Sequence, residues 1–271
     1  MPLITISSSA GSGGKIIGQR VAEFLNIDLY DDDRLQQAAI AMGIPEHDLK
    51  SLDEKAPGFF DRILTRKPEL YLDLMEAVIY DVARKGSGVI LGHGSQILLR
   101  DFGCALHVFI HATETSRVKR IMEQKGLSKE AAEKLIRKSD HQQKGFFRFA
   151  FQMQWNDPSL YDLIINTEKI STDSAVKLIV DTASSEAIET CSLSAADTME
   201  RLSQKKKIEA ALVENDINLF LLHVEVPEKG VAEITGAVYS EEEKQRIAEI
   251  VKKAANVSEV RSEVVVSPVS Y

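Results

Sequence analysis

Ser7-Ser8-Ser9-Ala10-Gly11-Ser12-Gly13-Gly14-Lys15-Ile16 joins two segments of different periodicity, and the fold turns on how it is read. The preceding Leu3-Ile4-Thr5-Ile6 is an apolar run with the length of a buried parallel strand. Behind it, Ile17, Val21, Phe24 and Leu25 fall at i, i+4, i+7 and i+8, the stripe of an amphipathic helix. A strand, a loop of small residues and a helix make an anion site. Glycines let backbone N–H groups converge, and the helix N-terminus adds about half a positive charge. Lys15 adds a full one. Gly11, Ser12, Gly13, Gly14, Lys15 and Ile16 are therefore expected to hold phosphate; the plain alternative is a Gly/Ser turn without a ligand.

Two registers fit the pattern G-x-x-x-x-G-K-[ST], in which lysine reaches the β- and γ-phosphates and a hydroxyl meets Mg2+. Counting back from Gly14-Lys15 places Ser9 at the first glycine and Ile16 at the hydroxyl. Aligning Gly11-Ser12-Gly13 with the glycines instead puts Gly14 at the lysine position and Lys15 at the hydroxyl.

Working outward, the 271 residues suffice for one large domain or two, and 44% hydrophobic with 27% charged residues is an ordinary globular composition. A net charge of −8 argues against general nucleic-acid binding and against electrostatic attachment to an anionic membrane. No apolar stretch approaches the ~20 residues that span a bilayer. Cys104 and Cys191 lie far apart without zinc spacing, and Cys104, opening an apolar run, reads as a buried thiol. With no basic region leading into an apolar core at the N-terminus, the expected location is cytoplasmic.

Along the chain, strands and helices alternate. Asp28-Leu29-Tyr30 is a second strand before Asp31-Asp32-Asp33, and a helix through Leu35 and Ala39 stops near Gly43 and Pro45. Leu49 and Leu52 suggest a short helical piece ending near Pro57-Gly58. A long helix from Glu69 precedes the strand Val89-Ile90-Leu91 and the turn Gly92-His93-Gly94. Strands from Ala105 and Leu163 follow, each with a helix. This alternation implies an α/β parallel sheet with helices on both faces, whose ligands bind beyond the carboxyl ends of the strands. The glycine loop, Asp31 and Gly92-His93-Gly94 all fall at such ends.

The pattern changes after a small, polar stretch. Residues 1–181 are expected as the nucleotide-binding domain, 182–195 as a linker, and 196–271 as a small α+β (αββαβ) domain. In the latter, Phe220 to Val226 and Ala232 to Val238 alternate, and Ser240-Glu241-Glu242-Glu243 is a capping box. Lys205-Lys206-Lys207 reads as a solvated helix turn.

Most of residues 3 to 181 resemble the cytidylate kinase-like family, a branch of the P-loop nucleoside monophosphate kinases. The resemblance rests on Ile4-Thr5-Ile6-Ser7 with Gly11-Ser12-Gly13-Gly14, on Tyr30-Asp31, Asp53-Glu54-Lys55 and Gly92-His93-Gly94, and on the run Asp157 to Thr167. It favours the second register. It implies ATP-dependent phosphoryl transfer, with Mg2+, to a nucleoside monophosphate such as CMP or dCMP. Lys15, Arg137, Lys138 and Arg148 would be the cations around the transferred group, with Lys144 beside them in the lid. Asp31, Gly92, His93 and Gly94 would hold the acceptor. No protein metal cluster is implied.

An arginine is common in the family where His93 stands, and a histidine cannot offer the same bidentate fork. Family lids are also richer in arginine than His141-Gln142-Gln143. Gly230 to Gly236 and the Val257 to Val266 ending resemble a BON domain, which implies a ligand of its own. Two other readings therefore stand beside the kinase: a nucleotide-binding regulator with little activity, and a BON-centred adaptor.

Overall fold

The computed structural model describes residues 2–42, 68–188, 190–254 and 257–267. The stop at Gly43 and Pro45, the piece around Leu49 and Leu52, Asp53-Glu54-Lys55 and Pro57-Gly58 lie outside the described residues. The chain forms two compact units.

The first unit is a parallel sheet. Strand β1 (Leu3–Ser8) runs into helix α1 (Gly14–Leu25), β2 (Leu29–Tyr30) into α2 (Asp32–Ala41), and β3 (Gly88–Leu91) into a short α4 (Ser95–Leu98). Helix α3 (Pro68–Ala83) precedes β3. Then come β4 (Ala105–His111), α5 (Glu114–Lys125), α6 (Lys129–Phe151), β5 (Leu163–Asn166) and α7 (Thr172–Ala183). The strand order is β2-β3-β1-β4-β5, all parallel. Leu3, Ile4 and Ile6 are all buried, so side chains on both faces of β1 are covered and its continuous apolar run has no solvent face to alternate toward. Ile17 and Val21 of α1 share one core cluster with Val176 and Ile179 of α7, so the predicted stripe is the buried one. Phe24, included in that stripe, is 73% exposed.

Cys104 is not a free thiol. It is bonded to Cys191, with a Cα–Cα distance of 4.9 Å, and the bridge spans 87 positions of chain. The segment expected as a linker is thus tied at Cys191 to the start of β4, between the end of α7 and the start of helix α8 (Leu193–Glu214).

Among the described residues, the second unit takes everything from Leu193 onward together with α3 and the part of α2 from Gln37 on. After α8 come β6 (Leu222–Glu228), β7 (Val231–Val238), α9 (Glu241–Lys253) and β8 (Glu259–Val266). This is the predicted αββαβ order, with β6 antiparallel and β8 parallel to the central β7. Ser240 caps α9 by accepting from the Glu243 N–H, as the capping box requires.

Helix α3 lies along α8, and Lys206 explains part of the attachment. Its Nζ stands 2.9 Å from Asp73, 3.0 Å from Glu76 and 2.9 Å from Glu209. The expected solvated lysine turn is corrected here: one of its three lysines is the centre of a buried charge cluster. Burial pushes the Asp73 carboxyl up to about 7, against the pull of Lys206, and pushes Glu76 up as well. Burial disfavours the Lys206 ammonium, but the surrounding carboxylates outweigh it and hold its pKa above the ordinary lysine value.

Candidate active site

The loop after β1 is shaped by its own small residues. Ser9 N–H donates to Ile110 O at 3.0 Å, tying the loop to β4. The buried Ser12 hydroxyl lies 2.8 Å from Ser9 O and 2.9 Å from Ile110 O. That hydroxyl is spent inside the loop, as is the Ser12 N–H, which donates to Ser9 O at 3.0 Å. Gly11 and Gly13 take φ of 80° and 91°, the left-handed region that glycine enters without penalty. Gly14 is required for another reason: a Cβ there would lie 2.2 Å from the Ser8 Cβ. No lysine can therefore occupy position 14, and the loop's cation must come from Lys15 or from elsewhere.

Helix α1 begins at Gly14 with Gly13 as its cap, which makes no side-chain hydrogen bond to the first turn. Such an open N-terminus suits an anion. Lys15 is the second helical residue, 60% exposed, with Nζ 3.2 Å from Asp31 Oδ2. Asp31 Oδ1 accepts from the Arg34 N–H at 3.3 Å and so caps the start of α2. Ile16 is 48% exposed and brings no oxygen.

Gly92, His93 and Gly94 are three consecutive left-handed residues, with φ of 72°, 57° and 69°. They turn the chain from β3 into α4, and the Ser95 hydroxyl donates to Gly92 O at 2.9 Å. His93 is buried, and its Nε2 is 3.0 Å from Asp32 Oδ1. Gly94 lies under the Phe151 ring, where a Cβ would come within 2.3 Å. The end of α6 thus packs on this turn.

The structure brings Lys15 to Asp31 and His93 to Asp32. Of the lid cations on α6, Arg137 is exposed and bonded to Glu133 at 3.2 Å, and Lys138, Lys144 and Arg148 are exposed. Phe146 and Phe147 are buried edge-to-face, and Trp155 packs edge-on against Phe109. These rings are engaged in packing.

Several residues that the sequence reading passed over surround the loop. Arg117 Nη1 reaches Ala10 O at 3.3 Å and grips Asp140 through both nitrogens, at 2.9 and 2.8 Å. Arg120 reaches the carbonyls of Gly11 and Ser12 and both oxygens of Thr167. Their i, i+3 spacing, on one face of a helix that follows a central strand, was the available signal. Ser7 donates to Gln96 Oε1 at 3.0 Å, and Gln96 to the Tyr161 hydroxyl at 3.2 Å. Burial holds that phenol up to about 12, so it stays a neutral partner at physiological pH.

A hard cation such as Mg2+ needs oxygen ligands. Asp31 is the carboxylate beside the loop, and among the described residues no group of three or more His, Cys, Asp or Glu side chains forms a metal site. The arrangement fits a cation held chiefly by a ligand's phosphate oxygens, with Asp31 beside it. No helix among the described residues is long and apolar enough to cross a membrane.

Comparison with known proteins matches residues 3–169 to the cytidylate kinase-like family and residues 203–268 to the BON domain. A cytidylate kinase of Pyrobaculum islandicum is 24% identical over 182 residues, which is 67% of this chain and 92% of that protein. A cytidylate kinase of Staphylothermus marinus is 28% identical over 182 residues, covering 66% and 94%. The crystal structure of an uncharacterized protein from Eubacterium ventriosum superposes with a TM-score of 0.50 at 23% identity, covering 69% of this chain and all of that one, a likeness of fold.

Proposed function

This chain belongs to the cytidylate kinase-like family and carries a C-terminal BON domain, and on that premise we propose that it transfers the γ-phosphoryl group of ATP to CMP or dCMP. The supporting observation is the loop itself: an uncapped helix N-terminus, left-handed glycines, and Lys15 held 3.2 Å from Asp31, the residue that follows β2. Loop N–H groups bind the donor's β- and γ-phosphates. Lys15 leaves Asp31 for the phosphoryl group, and Asp31 orients the acceptor. The β–γ P–O bond breaks as a bond forms to an oxygen of the acceptor's 5′-phosphate. That oxygen is already anionic, so the acceptor needs no general base, and the protein's work is positioning and charge stabilisation. Mg2+, when bound, neutralises charge on the phosphates. The BON domain binds a separate small ligand, and the site of action is the cytoplasm, where nucleotides are available.

Titration calorimetry with ATP and CTP, followed by a coupled ADP-release assay with each monophosphate, tests the reading. ATP binding with turnover on CMP or dCMP supports it; no nucleotide binding overturns it. A second reading, a nucleotide-binding regulator with little turnover, is favoured by His93, which is buried and engaged by Asp32 where the family commonly carries an arginine. ATP binding without ADP release selects it.

A further inference from the structure

Three successive carbonyls on the outer wall of the phosphate loop are held by side chains from distant segments. Arg120 Nη1 lies 3.5 Å from Gly11 O, 3.3 Å from Ser12 O and 2.8 Å from Thr167 Oγ1. Its Nη2 donates to Thr167 O. The Thr167 hydroxyl accepts from Arg120 and donates in turn to Ser12 O at 2.8 Å. Arg117 Nη1 holds Ala10 O at 3.3 Å from the same helix face.

A trans peptide is planar, with its C=O and the following N–H pointing in opposite directions. Fixing the carbonyls of Ala10, Gly11 and Ser12 therefore turns the N–H groups of Gly11, Ser12 and Gly13 away from the arginines. The Ser12 N–H is used by Ser9 O at 3.0 Å. Those of Gly11 and Gly13 sit on left-handed glycines, which rotate easily unless something holds them.

We propose that Arg120 is a positioning residue of the phosphate loop, setting the direction of its N–H donors through the carbonyls behind them, with Thr167 as its anchor at the end of β5. The inference rests on the reading of this loop as an ATP site. Arg120 acts without touching the nucleotide, because both terminal nitrogens of its guanidinium are turned to loop and strand oxygens. The arrangement depends on fork geometry and not on charge alone, so a lysine cannot replace it.

The test compares Arg120→Ala, Arg120→Lys and Thr167→Val with the wild-type chain. ATP affinity is read by calorimetry, and the KM values for ATP and CMP by the coupled assay. Arg120→Ala is expected to weaken ATP by about tenfold, the equivalent of one net hydrogen bond, with the KM for CMP unchanged. Arg120→Lys is expected to behave like Arg120→Ala. Thr167→Val, which keeps the shape and removes only the hydroxyl, should shift ATP affinity in the same direction while the melting temperature without nucleotide moves little. Full ATP affinity in Arg120→Lys overturns the fork argument. Equal losses for ATP and CMP in Thr167→Val assign a general structural role and overturn the proposal. A wild-type chain that binds no ATP overturns the functional reading itself. Wild-type binding with unaltered variants overturns the inference alone.

Discussion

Replacing Lys15 by alanine removes an ammonium that the fold hardly needs and that phosphoryl transfer needs greatly. In the nucleotide-free protein its partner is Asp31 at 3.2 Å, and the two side chains are 60% and 20% exposed. Such a pair contributes about 0.2–1 kcal/mol. Alanine is a strong helix former at this second position of α1, so the melting temperature should fall by less than about 4 °C. During transfer the same ammonium faces the charge spread over the γ-phosphoryl oxygens. Losing one preorganised donor there costs about 2.7–4 kcal/mol, or roughly 10²–10³ in kcat. The catalytic loss thus exceeds the structural one several-fold. Coupled ADP release with saturating CMP measures kcat, and Lys15→Met, which keeps the aliphatic stem, should match alanine. The second register, with Lys15 at the hydroxyl position, predicts a different result: kcat is mostly retained and the Mg2+ dependence changes. Wild-type turnover together with wild-type Mg2+ dependence would refute both arguments and leave the backbone N–H groups as the whole cradle.

Asp73, raised to about 7 by burial, keeps a proton in the folded chain that the unfolded chain has released above about pH 4. Its contribution to stability therefore grows as pH falls from 7 toward 4, by at most about 1.4 kcal/mol per pH unit for one proton; Asp73→Asn should lack this slope in urea melts, and identical slopes in the two proteins would exclude the titration. Gly14→Ala places a Cβ 2.2 Å from the Ser8 Cβ; it should cost about 1–3 kcal/mol from overpacking and abolish ATP binding in calorimetry, whereas a normally stable, ATP-binding variant would show that the loop relaxes. The Cys104–Cys191 bridge spans 87 positions, for which chain entropy gives about 4–5 kcal/mol; Cys191→Ser or treatment with dithiothreitol should lower the urea midpoint accordingly, and an unmoved midpoint would show that the bridge adds nothing to stability.

Much of the fold was legible because it is written in local periodicity. Leu3 to Ile6 reads as a buried strand, Ile17 and Val21 as a helix stripe, and Ser240 to Glu243 as a cap, since each depends on neighbours within a few positions. The glycine loop was legible for the same reason: left-handed φ at Gly11 and Gly13 is a local demand that residue type answers. Partnerships were not. Lys206 looked like a surface lysine because Asp73 and Glu76 lie some 130 positions away on a helix that its immediate surroundings do not announce. Cys104 looked like a thiol because Cys191 is 87 positions distant. Arg120 has no local sign of its partners, the Ser12 carbonyl and Thr167, which β4 and β5 bring to its guanidinium. Backbone conformation is decided by steric limits and apolar spacing within one or two turns, and the sequence states those directly. Which charge meets which is decided by the order of strands and the packing of helices, which bring together residues that the chain keeps far apart.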